Sequence, residues 1–566
     1  MNFSIHYFCK GNKPQCILFK QAYKFIRLSI ITCILVFTAC NKTLDLEPQN
    51  AYSGKDVWSD PKLTQVFVNS IYNQAVLAFQ DCMGWSAQTD ELYGNFNWTN
   101  ENLYVRGEAT PDNQTSGSLN DWDRMYTAIR YANIFFANID NVNATGNEDL
   151  IKRMKGEVYF LRALSYFELL KRFGGVPLIT KVYDVNDKTF DEKRASWSET
   201  KDFILADIEQ AVQMLPLTYD DNEKGRATVG AALALKSRLL LYAASPYYNT
   251  ENNMQLWKDA KDAAKAVIDL NGNMYALYGN AGNGTYNNLF LNFFNPEVIF
   301  ARVYSGLVQA DRYNTVSRDL SPNGYNGYSA YNVIQQMVDD FEMKDGTAFS
   351  WNDPAQANDP YSNREPRFYA DVLANNEQFK GRLTQFYEGG DDSPQSPYSP
   401  WNASKTRYCV RKMVNEAHDW NVQDYDAAQW VVFRLSEIYL NYAEACAALG
   451  ENGEALIYLN KIRTEKAGLP AVTASGTELM DRIKHERRIE LCFEGQRYFD
   501  IRRWGIAEVG SEDAKGVIIN KQADGTFTYE IMTVQERTWV PGFYYYPIPR
   551  TEIQKNPNIE QNPYYN

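Results

Sequence analysis

From Lys152 to Phe173 the chain is apolar on nearly every side. Val158, Tyr159, Leu161, Ala163, Leu164, Tyr166, Phe167 and Leu170 leave only Lys155, Arg162 and Ser165 as a narrow polar stripe. The 3.6-residue spacing predicts a helix, and apolar residues all round predict one sandwiched between neighbours. Gly174-Gly175 ends it, and Pro177 prevents resumption. The same period predicts helices from Pro61 to Phe79 behind a Ser59/Asp60 cap, Asn120 to Ile139, Arg226 to Ala244 and Met254 to Leu270. It returns in Val432 to Leu449, Glu454 to Lys466, and a densely charged stretch from Glu478 to Arg503. Ala227, Gly230, Ala231 and Ala234 are small enough for close helix approach. Val432 to Leu449 and Glu454 to Lys466 form a hairpin through Gly450-Glu451-Asn452-Gly453. Its Ala443, Ala447, Gly450 and Ala455 fall much as they do in tetratricopeptide repeats. Pairs of this kind stack into a curved array in which each buries the next. The expected fold is all-α, a tetratricopeptide-like scaffold of helical hairpins.

Between Asn271 and Trp430 that texture gives way to Gly, Asn, Tyr and Pro, as in Gly279 to Gly284 and Ser321 to Tyr325, with one strand-like run from Glu297 to Val303. A large irregular insert is expected there, with a second loop region between Asp81 and Asn120. Long ordered loops on a rigid scaffold are where recognition usually sits. The expected division is 61–270 for an N-terminal helical region that includes loop 81–120, 271–430 for a ligand-facing insert, and 431–566 for a C-terminal helical region and tail.

Ahead of these, Lys20, Lys24 and Arg27 precede a twelve-residue apolar run, Leu28 to Ala39, too short for the roughly 20 residues that span a bilayer. A basic segment, a short apolar core and a small residue at the end form a secretory signal over 1–39. Phe37-Thr38-Ala39-Cys40 resembles a lipobox, so Cys40 is the expected lipidated residue and 40–60 the tether. Two acyl chains bury enough methylene groups for stable anchoring.

Residues 1–39 carry five basic residues and no acid, which moves the net charge from −13 for the whole chain to −18 for the remainder. A chain this acidic has no electrostatic case for nucleic acid. His418 and His485 are the only histidines past the leader, and no cofactor or metal is expected. Cys82, Cys409, Cys446 and Cys492 show no CxxC spacing and are expected as buried free thiols. No GxSxG, HExxH or phosphate-loop motif is present, so no enzyme is expected.

Arg162, Arg238, Arg434, Glu437, Glu490, Arg497, Asp500 and Arg503 lie within predicted helices, where charges of both signs pair to tie helices together. The unusual number is the 14% aromatic content, with 39 Tyr. Sugars present flat CH faces rimmed by hydroxyls, so a site for them needs rings beside amides and carboxylates. One loop supplies Trp85, Asp90, Tyr93, Asn97, Trp98 and Asn100. The insert supplies Tyr325, Tyr328 and Tyr331 at three-residue spacing, then Trp351 and Trp401. These are the candidate ligand-binding residues.

In order along the chain, Leu44-Asp45-Leu46-Glu47-Pro48, Trp122 to Asn133, Lys155 to Phe167 running into Phe173 to Leu178, and Ala231 to Leu239 resemble the SusD/RagB family. The resemblance continues through Asn295 to Phe300, Arg434 to Ala445, Glu486 to Leu491, Glu494 to Trp504, Tyr546 to Pro549, and Asn556 to Pro563. It implies an outer-membrane lipoprotein facing the cell surface that captures a glycan and delivers it to a SusC-like TonB-dependent transporter. It also puts Trp98 first, because the family often places stacking aromatics in this early loop. The alternatives are a peptide-binding member of the same family, a glycan-cleaving surface lipoprotein, and a lid that touches no ligand.

Overall fold

The computed structural model describes residues 54–565, apart from 99, 114–120, 185–186, 188–189 and 305–314. The expected signal segment, Cys40 and the first part of the tether lie outside the described residues.

Helix α1 (Pro61–Ala75) starts where Asp60 accepts the Lys62 backbone N–H at 2.8 Å. Helices α2 (Trp122–Asn138) and α3 (Glu148–Phe173) follow, and α3 is buried over most of its length, as its sequence demands. It ends at Gly174, whose φ of 76° lies outside the helical region. Next come α4 (Trp197–Met214), α5 (Val229–Ala244) and α6 (Met254–Ile268). After the insert come α7 (Leu435–Ala448), α8 (Asn452–Asn460), which runs on into a π-helical segment Lys461–Ala467, then α9 (Gly476–Glu490) and α10 (Arg497–Arg503). From α2 to α6 each helix packs on the next, and α6 packs directly on α7. The array therefore continues across the insert as though it were absent.

Two differences from the sequence reading have plain causes. The single helix expected from Glu478 to Arg503 is two helices. Phe493 and Gly495 take left-handed φ angles of 64° and 73°, which a right-handed helix cannot carry. Helix α4 was not anticipated, although its capping box is legible. Ser196 accepts the Glu199 N–H, and the Glu199 carboxylate accepts the Ser196 N–H at 2.8 Å.

Among the described residues strands occur only as two-stranded antiparallel ribbons. β1 (Leu92–Gly94) pairs with β3 (Tyr331–Val333), and β2 (Val298–Tyr304) with β4 (Ala428–Arg434). The β2/β4 ribbon sets Val298 opposite Arg434 and Tyr304 opposite Ala428, so both ends of the insert leave the helical array side by side. The ribbon of β5 (Ala514–Lys521) and β6 (Phe527–Gln535), turning through Gly525 at φ 89°, was not foreseen.

A buried ionic network fastens insert to scaffold. Arg434 donates to Glu297, Glu490 and Glu494 at 2.7–3.0 Å, and Arg367 of the insert donates to Glu486 and Glu490 of α9 at 2.6 and 3.1 Å. Arg238 holds Glu437 at 2.6 Å, Arg162 binds Asp207 through two 2.8 Å bonds, and Arg503 joins Glu444 to Asp500. Removing one partner of such a pair costs about 3–5 kcal/mol, because the other charge is left buried alone. These side chains are the framework. Cys82, Cys409, Cys446 and Cys492 are buried free thiols.

Candidate functional site

Three loops meet at the outer end of the β1/β3 ribbon. In the ladder Tyr93 lies opposite Asn332 and Gly94 opposite Tyr331. Just beyond it, the Asn95 backbone N–H donates to Ala330 O at 2.8 Å, and the Asn95 side chain reaches Ala403 O at 3.4 Å. Asn402 donates to Gly327 O, Asn323 to Tyr398 O at 2.7 Å, and the Lys405 backbone N–H to Asn332 Oδ1 at 2.8 Å. Side-chain amides thus rivet loops 95–102, 321–331 and 396–405 to one another. Gly327 is required for the close approach, since a Cβ there would run into the Ser321 carbonyl.

On this base Trp98 stands 44% exposed. Its indole stacks on Phe96 at 5.1 Å with 13° between the planes, and Tyr328 meets it edge-on at 6.4 Å. One face is backed, one side is propped, and the ring is a fixed platform. Asn97 and Asn100 shape the turn that presents it. Both have left-handed φ angles (53° and 65°), and Asn97 Oδ1 accepts the Asn102 N–H at 2.9 Å. Trp401, on the turn Pro400–Asn402, is 68% exposed, with Tyr398 beside it in sequence at 54%.

Tyr328 borders Trp98, whereas Tyr325, three residues earlier, packs edge-on to Phe379 at 5.0 Å, and each is capped by an arginine. The Arg382 guanidinium lies 3.9 Å from the Tyr325 ring centre while binding Asp392 through two 2.8 Å bonds. Arg318 lies 4.4 Å from Tyr328 and pairs with Asp424 at 2.7 Å. Each of these tyrosines has one ring face taken by a cation. Tyr93 is half-buried on the outward side of β1.

Three of the sequence candidates are buried and do not reach the surface. Trp85 is 2% exposed, edge-on to Phe499 at 5.0 Å and covered by Lys171 and Arg172. Asp90 is buried between Arg488 and Arg497, the latter at 2.8–2.9 Å. Burial alone would raise its pKa, but the two guanidiniums hold it well below the usual carboxylate range. Tyr331 is buried in the ribbon. In each case a large or charged side chain was needed inside, where the loop packs on the scaffold. Trp351 is half-buried on a different loop, donating to Asp339 at 3.0 Å and packing edge-on to Phe349. The sequence reading missed Phe96, Tyr398, Arg318 and Arg382. No strand period could have found Phe96, because Asn97 between it and Trp98 is left-handed and the stacking is made by a turn.

Comparison with known proteins agrees with this architecture. Residues 296–565 match the family described as the SusD family, and residues 42–241 match one described as starch-binding associating with outer membrane. SusD-like protein P38 of Formosa agariphila is 27% identical over 526 residues, 85% of this chain and 92% of its own. A crystal structure of a SusD-like protein from Bacteroides fragilis superimposes with a TM-score of 0.76 at 30% identity, covering 91% of this chain and 99% of that one. A laminarin-binding SusD-like protein superimposes with a TM-score of 0.66 at 23% identity over 89% and 99% of the two chains. The matches span both sides of the insert and the whole helical array: the chain belongs to the SusD family.

Proposed function

We propose that the protein is a cell-surface glycan receptor, held to the outer membrane by acyl chains on Cys40, that passes captured saccharide to a SusC-like TonB-dependent transporter. The observation that carries this reading is the Trp98 platform, exposed on one face and backed by Phe96 on the other. A fixed ring costs no side-chain ordering on binding, so a sugar's CH face meets a ready surface. Trp401 and Tyr398 offer further exposed rings on a loop riveted to the first. The laminarin-binding relative and the starch-binding, outer-membrane description of the matched family support a glycan as ligand.

In this reading the protein binds and does not cleave. The buried carboxylates Asp90 and Glu490 are engaged by arginines rather than poised across a saccharide cleft. The test is native affinity electrophoresis against a panel of polysaccharides, with reducing ends assayed in parallel. Retardation by at least one polysaccharide without new reducing ends is the expected result. Sustained release of reducing ends overturns it in favour of a hydrolase, and retention of peptides alone overturns it in favour of a peptide receptor.

A further inference from the structure

Tyr328 touches the Trp98 platform and a cation at once. Its ring meets the indole at 6.4 Å, and the Arg318 guanidinium lies 4.4 Å from its centre. The Tyr328 backbone N–H also donates to Arg318 O at 3.0 Å. These contacts set the guanidinium within the length of a short oligosaccharide of the Trp98 centre. Its orientation is fixed from two sides. Nε donates to Asn326 O at 3.1 Å, and Nη1 to Asp424 Oδ1 at 2.7 Å. Asn326, left-handed at φ 61°, donates from its side chain to Asn421 Oδ1 at 2.8 Å, and Trp420 Nε1 donates to Tyr325 O at 2.8 Å. Three side-chain bonds thus tie residues 420–424 to residues 318–328 and hold Arg318 and Asp424 side by side next to Tyr328.

The pair is held but not used up. Among the described residues Arg318 Nη2 and Asp424 Oδ2 make no hydrogen bond. The side chain of Asp424 is 43% exposed and that of Arg318 18%. The pair that caps Tyr325 is closed by contrast. Asp392 is fully buried, Arg382 takes both its oxygens, and the Gln385 N–H adds a third bond. An ion pair that only fastens loops has that second form. The nearby Asp419 is engaged by the backbone and side-chain N–H groups of Asn421. With Arg318 matched by Asp424, this flank carries no excess positive charge. It offers hydrogen bonds to a neutral ligand, not a counter-charge to an anion.

From this arrangement we infer that Arg318 and Asp424 form a second sugar subsite, which receives two adjacent hydroxyls of a neutral saccharide whose neighbouring unit is stacked on Trp98. This rests on the glycan-receptor reading above. Arg318 Nη2 has N–H groups to donate, and Asp424 Oδ2 has lone pairs to fill. Adjacent hydroxyls on a sugar ring supply the complement, one oxygen accepting from the guanidinium and the other donating its proton to the carboxylate. The Trp98 ring reads only a flat CH face, whereas these charge-assisted bonds fix which hydroxyls stand where.

The test uses the full folded chain against laminarin, starch, galactan, xylan and mannan as neutral polymers, and polygalacturonate and alginate as anionic ones. A neutral polymer that wild type retains is then compared with its partly O-methylated form. Methylation leaves oxygens that accept but removes protons that donate. R318A and D424A are each expected to bind the unmodified polymer about tenfold or more weakly than wild type. Methylation is expected to weaken wild type but to change D424A much less, because the bond it breaks is already absent. D269A, which removes an exposed carboxylate paired with Lys265, is expected to bind as wild type. A D424A protein that loses as much affinity on methylation as wild type has only a structural defect, and overturns the subsite. So does wild-type binding by both R318A and D424A, or retention confined to the anionic polymers; each leaves the receptor reading intact. Retention of none of the polymers overturns both.

Discussion

Trp98 lies parallel to Phe96, 5.1 Å apart with 13° between the ring planes, and so has one face committed inward and one free. The same offset stacking that stabilises the loop therefore aims the platform. Phe96→Ala removes the backing without removing the platform. It is expected to weaken glycan binding about three- to tenfold, less than Trp98→Ala, with circular dichroism unchanged. Calorimetry on the two variants checks the order; a larger loss in Phe96→Ala would show that Phe96 is the contact.

Trp85 predicts the opposite pattern. It fills space between Phe499 and the Lys171 and Arg172 side chains. Trp85→Ala is expected to destabilise the fold by about 3–5 kcal/mol. The protein that remains folded should bind glycan as wild type does. Denaturant unfolding and calorimetry on one preparation separate the two effects, and lost affinity at unchanged stability would return Trp85 to the ligand face.

Asp90 neutralises two arginines at once, where the 81–95 loop meets α9 and α10. Asp90→Ala leaves Arg488 sharing only Asp340 and Arg497 without its partner. A loss of about 3–5 kcal/mol is expected, read as a lower urea midpoint. A midpoint equal to that of wild type would contradict the pairing.

Glu91, the next residue, is fully buried, and burial pushes its pKa from the usual 4.5 up to about 7. The folded state thus holds this proton more tightly than the unfolded chain. The contribution to stability is complete below pH 4.5 and is lost as pH rises through 7. Glu91→Gln cannot titrate. Its Tm should nearly equal that of wild type at pH 5 and exceed it by roughly 3 °C at pH 8. Equal shifts at both pH values would contradict the buried neutral carboxyl.

How far the sequence could be read differed between scaffold and face. Helix α3 was legible because burial on every side leaves a nearly continuous apolar run. The role of Arg434 and Glu490 was legible because charges inside a packed array must pair. Trp85 and Trp98 could not be told apart by type or spacing. Both are tryptophans in a stretch that reads as one loop, and only the fold puts Trp85 on a short helix, Phe79–Ser86, against Phe499 and Trp98 on a turn against Phe96. The meeting of the loops that carry residues 98, 328 and 401 was equally invisible, because it depends on β1 pairing with a strand over 200 residues away. Local pattern carries no information about such pairings. The break at Phe493 and Gly495 was missed because its one sequence sign, a single glycine in a charged run, is also tolerated inside helices.

The account depends most on the exposed indoles as the ligand contacts. Calorimetry of a Trp98→Ala/Trp401→Ala double variant, with a polysaccharide that wild type binds, tests it directly. The predicted result is no measurable heat of binding from a protein that unfolds at the same urea concentration as wild type. Wild-type affinity in the double variant would place the ligand elsewhere and contradict the account.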